Sequence, residues 1–131
     1  MKGEAVEQFQ DKVSELLIRH RSILDSLTKF QESTAKVNRS IAKTVTSCGC
    51  LNINATRQSC PTEIALKDRR EYMESHLRGQ LCEHCREIVE EKIGTHLFYL
   101  TALCHLLDLD LAEVFDKEYQ RLSTLGFFKL C

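Results

Sequence analysis

Sulfur carries most of the chemistry this sequence can offer. Seven cysteines occur in 131 residues, about 5% of the chain, several times ordinary usage but below the roughly 8–10% of disulfide scaffolds. Because the count is odd, at least one thiol is left over in any all-disulfide scheme. Cys48 and Cys50 form a C-x-C pair, and Cys82 and Cys85 form a C-x-x-C pair. Short turns of both kinds let two sulfurs converge on one ion. Zinc needs four soft ligands on a tetrahedron, about 2.3 Å from each sulfur. The spacing predicts a four-cysteine zinc site at Cys48, Cys50, Cys82 and Cys85, with Cys60, His76 and His84 in reserve. Four thiolates leave no open coordination position, so the expected role is structural. A dithiol redox pair at Cys82 and Cys85 and an iron–sulfur cluster are the alternatives. The first lacks a βαβ setting, and the second fits no common ferredoxin spacing. Cys104 lies on an apolar helix face and is expected in the core; Cys131 is terminal.

Residues 51–81 separate the two pairs, longer than common zinc-finger spacings, so two helix ends must be packed together to close the site. From Glu4 to Ser47 there is no Gly or Pro. Val6, Phe9, Val13, Leu16, Ile23, Leu27, Phe30, Val37, Ile41 and Val45 recur at steps that mostly alternate three and four, with His20 and Thr34 in the two missing beats, a helical stripe. Unbroken, it would be ~66 Å long, so a break is expected within residues 29–34, where weak helix formers collect, or else a helical partner. Gly49 is expected to end this segment. Leu51 to Ile53 reads as a short extended piece. Pro61-Thr62-Glu63 reads as the start of a modest helix reaching about His76, closed by Gly79. From Cys82 the period returns through Ile88, Val89, Ile93, Leu97, Leu100, Leu103, Cys104 and Leu107, predicting a central helix. Asp108-Leu109-Asp110 reads as a turn and N-cap. A last helix follows from Leu111 to about Leu122, with Val114, Phe115, Tyr119 and Leu122 inward and Gly126 at its end. The reading is a single all-α domain over 1–131, a helical bundle. It has a long N-terminal helical segment at 1–47, a cysteine-rich metal-binding insertion at 48–85 and a C-terminal helical pair at 86–131.

Composition narrows the partners. Lys+Arg is 18 and Asp+Glu is 19, a formal net charge of -1. No general positive field exists to attract nucleic acid or a membrane surface. The longest apolar run, Leu97 to Leu107, is interrupted by Thr101 and His105 and is too short to span a bilayer. The N-terminal stretch lacks the apolar run of a secretory signal, so a cytoplasmic location with reduced thiols is expected.

Residues 87–100, EIVEEKIGTHLFYL, resemble the second acidic motif of the MazG-like nucleoside triphosphate pyrophosphohydrolases. That motif has two acids, an apolar residue, Gly or Ala, then Asp, followed by an apolar stretch. The continuation TALCHLLDLDLAEVFDKEYQRL resembles the family's following turn and last helix. The resemblance covers roughly residues 87–122. It implies an all-α fold in which carboxylates from two facing helices hold Mg²⁺ against a triphosphate and activate a water. Here Glu91 matches the first acid, Lys92 stands for the second, and Thr95 stands for the Asp, with His96 beside it. The partner motif matches best at residues 32–36, where Glu32 is acidic and Lys36 replaces an acid. Two replacements are cationic and would repel Mg²⁺.

The expected function is therefore a zinc-binding, MazG-like but catalytically degenerate binding or regulatory module, with a nucleotide or a protein as ligand. A homodimer is expected, because such bundles complete their core by pairing. One alternative is a Mg-dependent nucleotide pyrophosphohydrolase using Glu32, Glu90 and Glu91. The other is a thiol or metal redox sensor. No catalytic role is expected for His20, His96 or His105. His20 sits on the apolar stripe and is expected to be hydrogen-bonded, His96 flanks the acidic motif, and His105 is expected at the periphery.

Overall fold

A computed structural model describes residues 2–126. The chain is mostly helical, with one small two-stranded sheet. Helix α1 spans Lys2–Leu16 and α2 spans Ile23–Lys43, followed by a π-helical turn at Thr44–Cys48. Strand β1 (Leu51–Ile53) pairs antiparallel with β2 (Leu77–Gly79), and a 3₁₀ turn at Leu66–Tyr72 lies between them. Helix α3 spans Glu83–Leu106 and α4 spans Leu111–Leu125. The expected central role of α3 holds, since it packs against both α2 and α1. None of the helices is long and apolar enough to cross a membrane among the described residues.

The break in the N-terminal segment falls at residues 17–22, not at 29–34. Ser22 begins α2 in extended conformation. The break is tied down from the next turn: the Ser26 hydroxyl donates to the His20 carbonyl, and His20 Nδ1 pairs with Asp25 at 2.8 Å. The supposed weak formers at 33 and 34 spend their hydroxyls inside the helix. Ser33 and Thr34 both donate back to the Phe30 carbonyl, at 2.7 and 3.1 Å. Hydroxyls satisfied this way no longer compete with the helix.

The buried face of α2 is not its apolar stripe. It carries Ser26, Ser33, Ser40 and then Thr44, all buried, while Leu27 and Ile41 stay exposed. Three of these close on carbonyls three residues back: Ser33 on Phe30, Ser40 on Val37 at 2.8 Å, and Thr44 on Ile41 at 2.6 Å. Small, self-satisfied side chains let α3 lie close along α2 without orphaned polar groups. His20 meets Tyr99 and Phe30 stacks on His96, while Thr44 and Cys48 share a recess with Cys85. These pairings make α2 and α3 an antiparallel hairpin whose tip holds the cysteine pairs.

The core sits where α1 crosses α3: Val13, Leu17 and Ala102, with Phe98 and Leu106 against them. Cys104 is buried, as expected, and burial pushes its thiol pKa up. Asp108 takes the left-handed conformation (φ 58°), and Asp110 caps α4 by accepting from Ala112 N–H at 3.0 Å. Gln10 of α1 brackets this turn, donating to the Leu109 carbonyl and accepting from Leu111 N–H, both at 2.8 Å. The turn and N-cap read from the sequence are thus present, and Gln10 adds a tie between distant segments.

Two further expectations fail. Helix α4 does not turn Val114, Phe115, Tyr119 and Leu122 inward; all four are exposed, and only Leu111 is buried on this helix. Within the chain, α4 packs against α1. The modest helix expected from Pro61 shrinks to the 3₁₀ turn, because residues 61–76 carry no periodic apolar face to dock. Gly79 closes no helix; it lies in β2. The insertion is held instead by a two-way clasp. The Gln58 amide donates to the Glu74 carbonyl at 2.8 Å and accepts from Glu74 N–H at 3.1 Å.

Candidate metal centre

Four side chains come together at the hairpin tip. The sulfurs of Cys48, Cys50, Cys82 and Cys85 all lie within 4.8 Å of one another. Local folding of two segments explains how. On the first, the π-helical turn ends at Gly49, whose positive φ (81°) reverses the chain, and its N–H donates to the Thr44 carbonyl at 2.8 Å. Cys48 and Cys50 then flank one tight turn, and the Cys50 thiol reaches the same Thr44 carbonyl at 3.9 Å. On the second, Cys82 is the N-cap of α3, and its sulfur accepts from Cys85 N–H at 3.4 Å. Cys85 occupies the first turn and is buried.

The small sheet joins the two segments. Leu51 pairs with Gly79, so the residues just before β1 and just after β2 share one end of the ladder. Gly79 is required there. Its φ is 87°, and a Cβ at that position would overlap the Cys50 carbonyl oxygen. Its place in the sequence, three residues before the C-x-x-C pair, is the only signal that hinted at this role.

The arrangement fits a single metal ion. A tetrahedron with sulfurs about 2.3 Å from its centre has edges of about 3.8 Å. Cys48 and Cys82 sit 3.8 Å apart, too far for a disulfide, whose sulfurs are about 2.05 Å apart. All six cysteines among the described residues are free. The electrostatics agree. The Cys85 backbone N–H, with the helix start behind it, lowers the Cys82 thiol to about 7. Its neighbour Cys85 is pushed up to about 12, first by its hydrogen bond with Cys82 and then by burial. Without a cation the set resists full ionisation; a bound cation would remove that penalty. Lys43 and His84 line the recess of about 280 Å³ beside Cys48 and Cys85.

The reserve ligands are elsewhere. Cys60 donates to the Pro61 carbonyl at 3.6 Å and is not in the sulfur set. His76 follows the clasp at the far end of the ladder, opposite Asn54, and its Nε2 is buried without a partner. His84 borders the site but is not in the ligand set.

The acidic residues do not gather. Glu32 is bound by two lysines of its own helix, Lys36 at 2.9 Å and Lys29 at 3.3 Å. The Lys36 contact first, then Lys29, holds its carboxyl below the usual range. Glu90 is exposed, and Glu91 is exposed with Lys92 at 4.0 Å. Among the described residues, the four cysteines form the only group of three or more ligating side chains. His96 stacks on Phe30 with ring centroids 4.7 Å apart, and its Nδ1 lies 2.9 Å from Ser33 Oγ. Because the single Ser33 proton goes to Phe30, His96 Nδ1–H is the donor in this pair. His20 is hydrogen-bonded as expected, and His105 is exposed. No family model matches the chain, and no curated protein or solved structure does either.

Proposed function

We propose that this chain is a zinc-stapled, MazG-like helical module that binds a ligand, a nucleotide or a protein, without conventional Mg-dependent turnover. The convergence of the four sulfurs carries the metal half of this reading. Cys48, Cys50, Cys82 and Cys85 would hold the ion, which supplies a rigid four-way cross-link and no chemistry. A spread of at most 4.8 Å supports one ion over an iron–sulfur cluster, whose irons stand between the thiolates and hold them farther apart. The absence of catalysis is supported by Glu32, whose carboxylate is already neutralised by Lys29 and Lys36.

Metal analysis of the purified chain tests the first half, and about one zinc per chain is expected. A metal-free chain, or the absorbance of an iron–sulfur cluster, refutes it. A pyrophosphate-release assay with Mg²⁺ over nucleoside triphosphates tests the second. Turnover that disappears in Glu91→Gln would replace this reading with the pyrophosphohydrolase one.

One observation favours a second reading, a thiol switch. Cys48 is exposed and lies 3.8 Å from Cys82. Cys85 is buried, so the accessible pair is Cys48 with Cys82 and not Cys82 with Cys85. Two thiolates would give two electrons to hydrogen peroxide, which takes up two protons and leaves as two waters. The new disulfide leaves too few thiolates to hold an ion. Peptide mapping after mild peroxide treatment should find a Cys48–Cys82 bridge together with metal loss. Retained metal with no bridge eliminates this switch.

A further inference from the structure

We propose that Cys48 is a nucleophile for small, apolar carbon electrophiles, which seat in the recess beside it. Such a role rests on the four-sulfur staple, because a bound ion keeps each of these sulfurs a thiolate at neutral pH. It differs from the Cys48–Cys82 switch, which joins two sulfurs and needs an oxidant; here one sulfur bonds to carbon.

The four sulfurs are not equivalent. Cys85 is buried. Cys82 accepts the Cys85 N–H at 3.4 Å at the start of α3, and a hydrogen bond of this kind draws electron density from a thiolate. Cys50 is half-buried and turned to the Thr44 carbonyl at 3.9 Å. Cys48 is exposed. Its neighbour at 3.8 Å is the Cys82 sulfur, which has no proton to give once an ion holds both. Cys48 therefore combines the freest lone pairs with the freest approach.

Cys48 also opens on a cavity. The recess of about 280 Å³ is lined by Cys48, Ser40, Thr44 and Ile88 among others. Ser40 and Thr44 are buried, and their hydroxyl protons go to the Val37 and Ile41 carbonyls at 2.8 and 2.6 Å. Hydroxyls already spent in this way give water few partners, so an apolar group displaces it at little cost. Ile88 supplies an apolar wall. The volume lies at the small end of ligand pockets, which limits the occupant to a ring or a short chain. In the reaction the Cys48 thiolate forms an S–C bond as that carbon's bond to its leaving group breaks. The electron pair departs with the leaving group as an anion, and no other reactant is needed. The product is a neutral thioether, a weaker zinc ligand than a thiolate, so the tip reports the electrophile as metal release.

Limited alkylation of the full, metal-loaded chain tests this, with iodoacetamide and 2-iodo-N-phenylacetamide as probes and labelled peptides and metal content as readouts. Cys60 is free, outside the sulfur set and not in the recess, so it is the internal reference for each probe's intrinsic reactivity. Among the four sulfurs Cys48 should be labelled first, with loss of metal. Relative to Cys60, the phenyl probe should favour Cys48 about tenfold more than iodoacetamide does. In Ile88→Glu that gain should vanish. Ile93→Glu, exposed on the same helix and outside the recess, should keep it. The wild-type ratio decides alone if a variant loses its metal. First labelling at Cys50, Cys82 or Cys85 in the loaded chain overturns this role and leaves the staple standing. So does the lack of a phenyl gain at Cys48, or metal retained after Cys48 is alkylated. A chain isolated without metal overturns both.

Discussion

Cys48 Sγ and Cys82 Sγ lie 3.8 Å apart although the residues are 34 positions apart in the chain. That distance joins the end of α2 to the start of α3 and closes both ends of the cysteine-rich insertion at one point. On α2 the hairpin beneath it is seamed by the buried hydroxyl residues Ser26, Ser33, Ser40 and Thr44, and the sulfurs close its tip.

If the four sulfurs hold an ion as proposed, removing one of them should abolish metal binding and loosen the tip. Cys82→Ser is expected to abolish stoichiometric metal binding and lower the thermal midpoint markedly, since structural zinc contributes on the order of 10 kcal/mol in small domains. Cys60→Ser should change neither, because Cys60 is outside the set. Metal content and thermal melts of the two variants, side by side, decide it. Equal effects would remove Cys82 from the site.

Gly79 should tolerate no side chain. Gly79→Ala places a Cβ on the Cys50 carbonyl at a φ of 87°, and strain of this kind costs about 1–3 kcal/mol. The expected result is weaker metal retention against a chelator together with lower stability. Gly94→Ala is the contrast. A Cβ there meets nothing within 4 Å, and Ala favours mid-helix by about 1 kcal/mol, so urea denaturation should show a gain.

The serine seam should resist enlargement more than deletion. Ser33→Ala removes the hydrogen-bond partner of His96 and should cost about 1 kcal/mol. Ser33→Leu forces a large side chain into a position that is 2% exposed between α2 and α3. Overpacking costs typically about 1–3 kcal/mol, and here the lost hydrogen bonds add to it. Urea midpoints that rank the two the other way would show that the helices are less closely packed than the seam implies.

Glu32 offers a pH-dependent readout. Its carboxyl is lowered from 4.5, first by Lys36 and then by Lys29. A lowered folded-state value means that the stabilisation is present above the unfolded value and is lost as pH falls through the folded one. The carboxyl resonance of Glu32 should therefore titrate below 4.5 and move upward in Lys36→Met. A midpoint that ignores the substitution would show the ion pair is not formed in solution.

Gln10 is a structural tie without a sequence motif. Gln10→Ala orphans the Leu111 N–H and frees the Leu109 carbonyl. A cost of about 1–2 kcal/mol is expected, with faster hydrogen exchange at Leu111. Unchanged exchange there would mean that water replaces the side chain at no cost.

The sequence alone determined what depends on local chemistry. Cysteine spacing named the four residues whose sulfurs come together, because short C-x-C and C-x-x-C turns let two sulfurs approach one point. Gly49, Asp110 and Gly126 marked their helix ends, since backbone freedom and capping are properties of a few neighbouring atoms. Periodicity found the helices but misread their faces. Hydrophobic spacing shows which side of a helix is apolar, not which side a neighbour will press. On α2 the side pressed by α3 is the serine side, because small residues permit the closest approach. On α4 the apolar side is left largely exposed beyond Leu111. The position of the break, at 17–22 and not at 29–34, likewise depended on contacts between His20, Asp25 and Ser26 across the bend. Only the tertiary structure could bring Cys50 to Cys82, seat Gly79 under the Cys50 carbonyl and set Gln10 against the α3–α4 turn. Each of these joins residues far apart in the chain, and such pairings are decided by packing geometry, which no local pattern of residue types encodes.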